Sequence, residues 1–240
     1  EGHRVSTLRL FAGTRIAEAS LPGRAIGLSR QALDTRLQHR AVELGAGIER
    51  GVSARGWENG RLFLADGAQL TPGAFFLATG KHDLRGFGRP RDSHQTVGIR
   101  VRLAAGPALD RLAAGAIELH LFRDGYCGLV LQEGGMGNLC LAVRKDRLAE
   151  AGGNPVTLLQ QWSDDSAHFA ERAALVVSEP DAIGAVPYGW MARDAVPGAY
   201  RLGDQAAVIP SLAGEGIGIA LASGIAAAAA LQSGESAPIF

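Results

Sequence analysis

Near the C-terminus, Tyr200-Arg201-Leu202-Gly203-Asp204 leads through Ile209-Pro210-Ser211-Leu212-Ala213-Gly214-Glu215-Gly216-Ile217-Gly218 into an alanine-rich run. Residues 200–202 read as a short strand ending at Gly203-Asp204. That puts a carboxylate at a strand's carboxyl end, where α/β sheets bind ligands. Pro210 stiffens the loop that follows, and Gly214 and Gly216 remove side chains so that backbone can approach a ligand closely. A helix over residues 216–231 would point free N–H groups and the positive end of its dipole into the same space. A reduced flavin carries negative charge at its N1–C2=O edge, which suits a helix N-terminus, and Asp204 would accept hydrogen bonds from the ribityl hydroxyls. The alternative is a Gly-rich loop before a buried Ala-rich helix. The ordered Gly-Asp, Pro and helix favour the flavin site.

Upstream, residues 3–20 alternate well enough for two short strands with Gly13 at their turn. Ser29 is a candidate N-cap for a helix to about Leu44, with Leu33, Leu37, Ala41 and Leu44 on one face and Gly45 ending it. Trp57-Glu58-Asn59-Gly60-Arg61-Leu62 carries an Asn-Gly hairpin signal, and Asp66-Gly67 makes a second turn. Residues 75–78 form a short apolar run, as in a buried parallel strand. After Gly86-Phe87-Gly88-Arg89-Pro90 the pattern changes to alternating strands near 97–103, 117–121, 126–131 and 138–143. This predicts an antiparallel sheet with two unlike faces, followed by a helix near residues 155–162.

Three ordered motifs resemble the para-hydroxybenzoate hydroxylase and geranylgeranyl reductase superfamily of FAD-dependent oxidoreductases. Gly203-Asp204…Pro210…Gly214-Glu215-Gly216-Ile217, followed by Ala220…Ser223-Gly224, is similar to that family's second FAD fingerprint. Ser29-Arg30-Gln31-Ala32-Leu33-Asp34-Thr35-Arg36-Leu37 is similar to its Arg-x-x-Leu-Asp-x-x-Leu helix, and Phe75-Phe76-Leu77-Ala78-Thr79-Gly80 to the strand end beside the cofactor. The resemblance implies FAD bound by Arg30, Val52, Thr79, Gly80, Gly203, Asp204, Pro210, Gly214, Gly216 and Ile217, with NAD(P)H or another donor as reductant. Arg30 would reach the pyrophosphate or ribityl region; from the residues alone it is equally a solvated helix Arg. Val52 would offer backbone to the adenine ring; from the residues alone it is an ordinary strand valine.

The implied fold is α/β: a Rossmann-like FAD/NAD(P)-binding lobe with an inserted, mainly antiparallel sheet lobe. Residues 1–85 and 195–240 would form the FAD lobe, and 86–194 the substrate lobe. Pro187-Tyr188-Gly189-Trp190 would line the substrate cavity or pack at a domain junction. Such proteins open with a strand, a Gly-x-Gly-x-x-Gly turn and a helix that hold the pyrophosphate. This chain has no such spacing and begins with Glu1. The expectation is an N-terminally truncated lobe whose missing segment belongs to the same protein. A pyrophosphate site on another chain, or lost FAD binding, are the alternatives. Thr79-Gly80-Lys81-His82-Asp83 also departs from the Asp-Gly of many hydroxylases, so their NAD(P)H handling does not transfer.

At 240 residues and 47% hydrophobic, the chain can bury a substantial core. Its 24 basic and 24 acidic residues cancel, against the basic face of a nucleic-acid binder. The apolar run 217–231 is shorter than the ~20 residues of a bilayer span, so no transmembrane segment is expected, and no secretory signal is visible. Cys127 and Cys140 could face each other across a hairpin. A cytoplasmic setting favours two reduced, half-buried thiols, and a zinc site is not expected.

Three chemistries compete within the superfamily. Gly125-Tyr126-Cys127-Gly128-Leu129-Val130-Leu131-Gln132 lacks the Trp-x-Trp-x-Ile-Pro element of halogenases. Gly125-Tyr126 partly matches the Gly-Tyr-x-Trp of geranylgeranyl reductases, and Gly214-Glu215-Gly216-Ile217 is reductase-like. Reduction of a hydrophobic small molecule is therefore read first and monooxygenation of an aromatic or polyketide-type substrate second. A ligand- or partner-binding protein without redox chemistry is the reading of another class. No general acid or base stands out; His82 and Asp83 also fit a surface loop.

Overall fold

The protein is described by a computed structural model covering residues 1–90 and 96–235. It is α/β, with a large mixed sheet, and divides into two compact units, one of residues 1–47 and 96–185 and the other of 48–90 and 186–235.

The chain opens the first unit with β1 (His3–Ala12), β2 (Arg15–Gly27) and α1 (Arg30–Glu43). It then builds part of the second unit with β3 (Ala54–Glu58), β4 (Arg61–Leu64), β5 (Gln69–Leu70) and β6 (Phe75–Leu77). Next come β7 (Thr96–Leu103), α2 (Pro107–Ala113), β8 (Ala116–Phe122), β9 (Gly125–Leu131), β10 (Gly137–Arg144), α3 (Lys145–Glu150), α4 (Pro155–Asp165), α5 (Ala167–Ala173) and β11 (Asp181–Val186). β12 (Ala199–Arg201) and α6 (Gly216–Ser233) finish the second unit.

The first unit is a seven-stranded sheet of order β11-β7-β10-β9-β8-β1-β2. Two expectations are corrected here. Residues 1–47 join this sheet instead of an FAD lobe 1–85, because β1 pairs parallel with β8 over Thr7↔Ala116 to Ala12↔Leu121. That pair also makes the sheet mixed. Alternation puts Ile99, Val101, Leu129, Leu139 and Leu141 on the covered face, where Leu158, Trp162 and Phe169 of α4 and α5 close a core. α1 has no buried residue; Leu44 of its apolar stripe is 70% exposed. The cysteines do not face each other: Cys140 pairs with Gly128, and Cys127 with Leu141. One residue of offset sends them to opposite faces, so Cys127 is buried, Cys140 is exposed, and both are free thiols.

In the second unit, β3, β4 and β5 form an antiparallel sheet. Its first turn uses Asn59 and Gly60 at φ +50° and +77°, the left-handed pair a two-residue hairpin needs. β6 and β12 pair in parallel, Phe75↔Ala199 to Leu77↔Arg201. Trp57, Leu77, Leu84, Phe87 and Ala199 form one core. Gly86 is required there: at φ +96°, a Cβ would meet the Trp57 carbonyl oxygen at 2.2 Å. α6 packs Ala227 and Ala230 on Tyr200 and leaves Ile217, Leu221 and Ile225 exposed. The Ala-rich helix is therefore not the buried one of the plainer reading. Among the described residues it alone is long and apolar enough, by length and composition, to cross a membrane, which the shorter expected run was not.

Candidate functional site

The parallel register brings β6 and β12 to the same level, so their carboxyl ends release two loops side by side. One carries Thr79-Gly80-Lys81-His82; the other, a 3-10 turn, carries Gly203-Asp204-Gln205. Gly203 has φ +56°, and a Cβ on it would lie 3.3 Å from Cβ of Ala220. Its glycine thus lets α6 approach the loop closely. Its N–H donates to Ser223 Oγ at 2.9 Å, fixing the approach.

Gln205 is fully buried and joins the loops: its Nε2 donates to the carbonyls of Gly80 at 2.9 Å and His82 at 2.8 Å. Thr79 Oγ1 also donates to the His82 carbonyl, at 2.6 Å. The Asp204 carboxylate accepts from Lys81 Nζ at 2.8 Å, with side chains 24% and 31% exposed. The Asp204 carbonyl accepts from Arg89 Nη1 at 2.8 Å, while Arg89 Nε pairs with Asp83 at 2.7 Å. Arg201, at the end of β12, lies over the rings of Phe87 and Trp190 at 4.8 and 5.5 Å. Burial, and then the charge of Arg89, hold its pKa below the usual arginine value.

The loop into α6 follows Pro210 through a 3-10 turn to Gly214, which is left-handed at φ +71°. Tyr188 and Ser211 hydroxyls meet at 2.7 Å, and Gly189 N donates to Val208 O at 2.7 Å, anchoring its start. The first intrahelical bond is Ile219 N to the Glu215 carbonyl; the N–H groups of Gly216, Ile217 and Gly218 precede it, and no side chain of the N-cap residue binds them. A Cβ on Gly214 or Gly216 would meet nothing within 4 Å, so backbone there borders open space.

The structure thus unites Thr79, Gly80, Gly203 and Asp204, with Pro210, Gly214, Gly216 and Ile217 on the loop and helix that pack against them through Ala220. Val52 is exposed and lies outside any strand. Arg30 belongs to the first unit, where it pairs with Asp34 at 3.1 and 3.0 Å. Lys81, Arg89 and Gln205 were not anticipated, whereas Ser223 stood in the expected fingerprint. Of those three, only Lys81 carried a signal, as one of two lysines among 24 cations. A cavity of about 350 Å³ at the ends of β1 and β2, lined by Arg4, Val5, Arg24 and Ile26 among others, contains none of this set.

The donor set fits the ribityl and isoalloxazine half of FAD: a carboxylate for hydroxyls, free helix N–H groups for an anionic edge, and open glycine positions. For the pyrophosphate half, the sequence supplies no Gly-x-Gly-x-x-Gly cradle.

No protein-family model matches the chain, and no curated protein matches it. Solved flavoproteins share its fold. A flavoprotein/dehydrogenase from Cytophaga hutchinsonii matches at TM-score 0.76 and 14% identity, over 98% of this chain and 64% of that one. The flavin-dependent brominase Bmp2 matches at 0.76 and 13%, over 98% and 64%. PqsL of Pseudomonas aeruginosa, a probable FAD-dependent monooxygenase, matches at 0.67 and 17%, over 96% and 69%. The chain spans about 64% of the length of the first two.

Proposed function

We propose that this chain is the larger part of an FAD-dependent oxidoreductase acting on a hydrophobic small molecule. The observation that carries the reading is the joining of Thr79-Gly80 and Gly203-Asp204 at adjacent strand ends, with α6 packed against Gly203. Asp204 would accept from the ribityl hydroxyls, and the N–H groups of Gly216 and Ile217 would face the flavin's N1–C2=O edge. Bound FAD supplies the electron-transfer chemistry; these residues bind and orient it. NAD(P)H or another donor is the proposed reductant, and a cytoplasmic setting goes with the reading. The fold shared with three flavoproteins supports it.

Geranylgeranyl-reductase-like reduction remains the first subtype, on Gly214-Glu215-Gly216-Ile217. Gly125 lends it less than its motif implied. A Cβ on Gly125 would lie 2.9 Å from the Ala142 carbonyl oxygen and 3.0 Å from the Trp162 ring, so packing already requires glycine there. Monooxygenation is the second subtype, favoured by the likeness to PqsL. The half-buried Leu10, Ile117, Leu119 and Val130 on the other face of the large sheet suit a hydrophobic substrate in either case.

In the full-length protein, Asp204→Ala should lower FAD affinity by one to three decades, roughly 1.4 kcal/mol per decade, without lowering the apo melting temperature. Wild-type affinity in the variant would remove the Gly203-Asp204 assignment. Anaerobic turnover then separates the subtypes: a reductase forms product without dioxygen, and a monooxygenase does not.

A further inference from the structure

The flavin reading leaves Lys81 without a role, and this inference rests on that reading. The backbone around Asp204 is pinned on two sides: the N–H of the preceding Gly203 donates to Ser223 Oγ, and the Asp204 carbonyl accepts from Arg89. Neither bond orients the carboxylate. Lys81 Nζ does so, from 2.8 Å. Lys81 comes from a clamped loop, since Gln205 Nε2 holds the carbonyls of both its neighbours, Gly80 and His82.

Both side chains of the pair keep part of their surface in solvent, where a ligand can reach them and where solvent screening leaves an ion pair little stabilising effect. An ammonium has three donors and a carboxylate about four acceptor sites, and their mutual bond uses one of each. What remains matches a polyol phosphate chain: hydroxyls donate to Asp204, and hydroxyl or phosphate oxygens accept from Lys81. A bare Asp204 would repel the cofactor's phosphates, and the ammonium cancels that charge. In a chain with 24 cations of which only Lys81 and Lys145 are lysine, a compact point charge stands here in place of a guanidinium fork.

We propose that Lys81 and Asp204 form one cofactor-binding unit, in which Lys81 orients and neutralises the carboxylate and donates its remaining N–H groups to oxygens of the ribityl phosphate chain.

The test titrates full-length apoprotein with FAD by flavin fluorescence in the wild type, Lys81→Met, Asp204→Asn and the double variant, alongside each apo melting temperature. Each single variant should bind FAD about ten- to a hundredfold more weakly, as for a lost charge-assisted bond. The double variant should bind little more weakly than the worse single, with apo melting temperatures unchanged. Wild-type affinity in Lys81→Met beside a weakened Asp204→Asn overturns the proposal, and so do fully additive losses. A lowered apo melting temperature with unchanged affinity overturns it too, because the pair then only closes the loops. If the wild type binds no FAD, or Asp204→Asn binds it normally, the flavin reading itself falls and the Lys81 assignment falls with it.

Discussion

Glu118 lies on the covered face of the large sheet with no exposed surface, beside the apolar core of the first unit. Arg172 grips both its oxygens at 2.9 Å, Arg9 adds a third bond at 2.9 Å, and His120 Nε2 stands 3.4 Å away. Burial alone would raise its pKa, but the hydrogen bonds of His120 and Arg172 outweigh it and bring the carboxyl down to about 2. Burial lowers the pKa of His120 from 6.5, the Glu118 bond opposes this, and the charges of Arg172 and His168 add to it. Its ring is stacked on Phe11 at 4.3 Å, and its Nδ1 is buried without a partner. At both sites the folded state binds fewer protons than the unfolded chain, so stability rises with pH. The His120 contribution is complete above 6.5 and lost as pH falls below it; that of Glu118 is complete above 4.5 and lost toward 2. We expect the melting temperature of the first unit to fall between pH 7 and 5. His120→Phe, which keeps the stack on Phe11, should flatten that part of the profile by circular dichroism; an unchanged slope would assign it to other histidines. Arg172→Met leaves Glu118 buried with part of its compensation gone and should cost about 3–5 kcal/mol. Adding Glu118→Gln should recover part of the loss.

α1 depends on its N-terminus more than on packing, because none of its residues is buried. Ser29 Oγ accepts from Ala32 N at 3.0 Å and donates to Glu133 in the turn between β9 and β10, and Ser29 N donates to the same carboxylate at 2.8 Å. The Ser29 hydroxyl, then its N–H, hold Glu133 below its usual pKa, so this link is present at neutral pH and weakens through the acid range. Ser29→Ala should cost about 1 kcal/mol of helix stability. The effect should appear in hydrogen exchange as faster exchange across α1 while β9 and β10 stay protected; equal loosening of all three would show a global effect. The cap was legible from Ser29 and the periodicity after it, as were the Asn59-Gly60 turn and the alternation of β7 to β10. Their signals are local. The joining of β1 to β8 was not legible, because a parallel pair separated by about a hundred residues leaves no trace in either strand. The candidate site divides in the same way: the spacing of its glycines and Asp204 is visible in the sequence, whereas the clamp of Gln205 on Gly80 and His82 exists only after β6 and β12 pair.

For the whole molecule, the proposed flavin reading implies unequal provision for the two halves of FAD. Under the proposed function, the second unit would offer Asp204, the N-terminus of α6 and the open backbone at Gly214 and Gly216 to the ribityl and flavin half. Phosphate binding by related folds uses a Gly-rich turn and a helix N-terminus straight after a strand. No such spacing occurs in these 240 residues, which span about 64% of the length of two flavoproteins with the same fold. The proposal that follows is a division of labour: these residues orient the redox-active ring, and an element beyond them holds the pyrophosphate. Lost phosphate contacts act directly on affinity, since each charge-assisted bond contributes about 1.5–3 kcal/mol and each 1.4 kcal/mol is about a decade in Kd. Two or more such bonds move binding by about two to four decades. Residues 1–240, purified alone, should therefore be colourless and take up FAD only at high concentration, while the full-length protein should be yellow with stoichiometric flavin. Absorbance near 450 nm on both preparations decides it. Stoichiometric flavin on residues 1–240 would mean that this chain holds the pyrophosphate by contacts other than a glycine cradle.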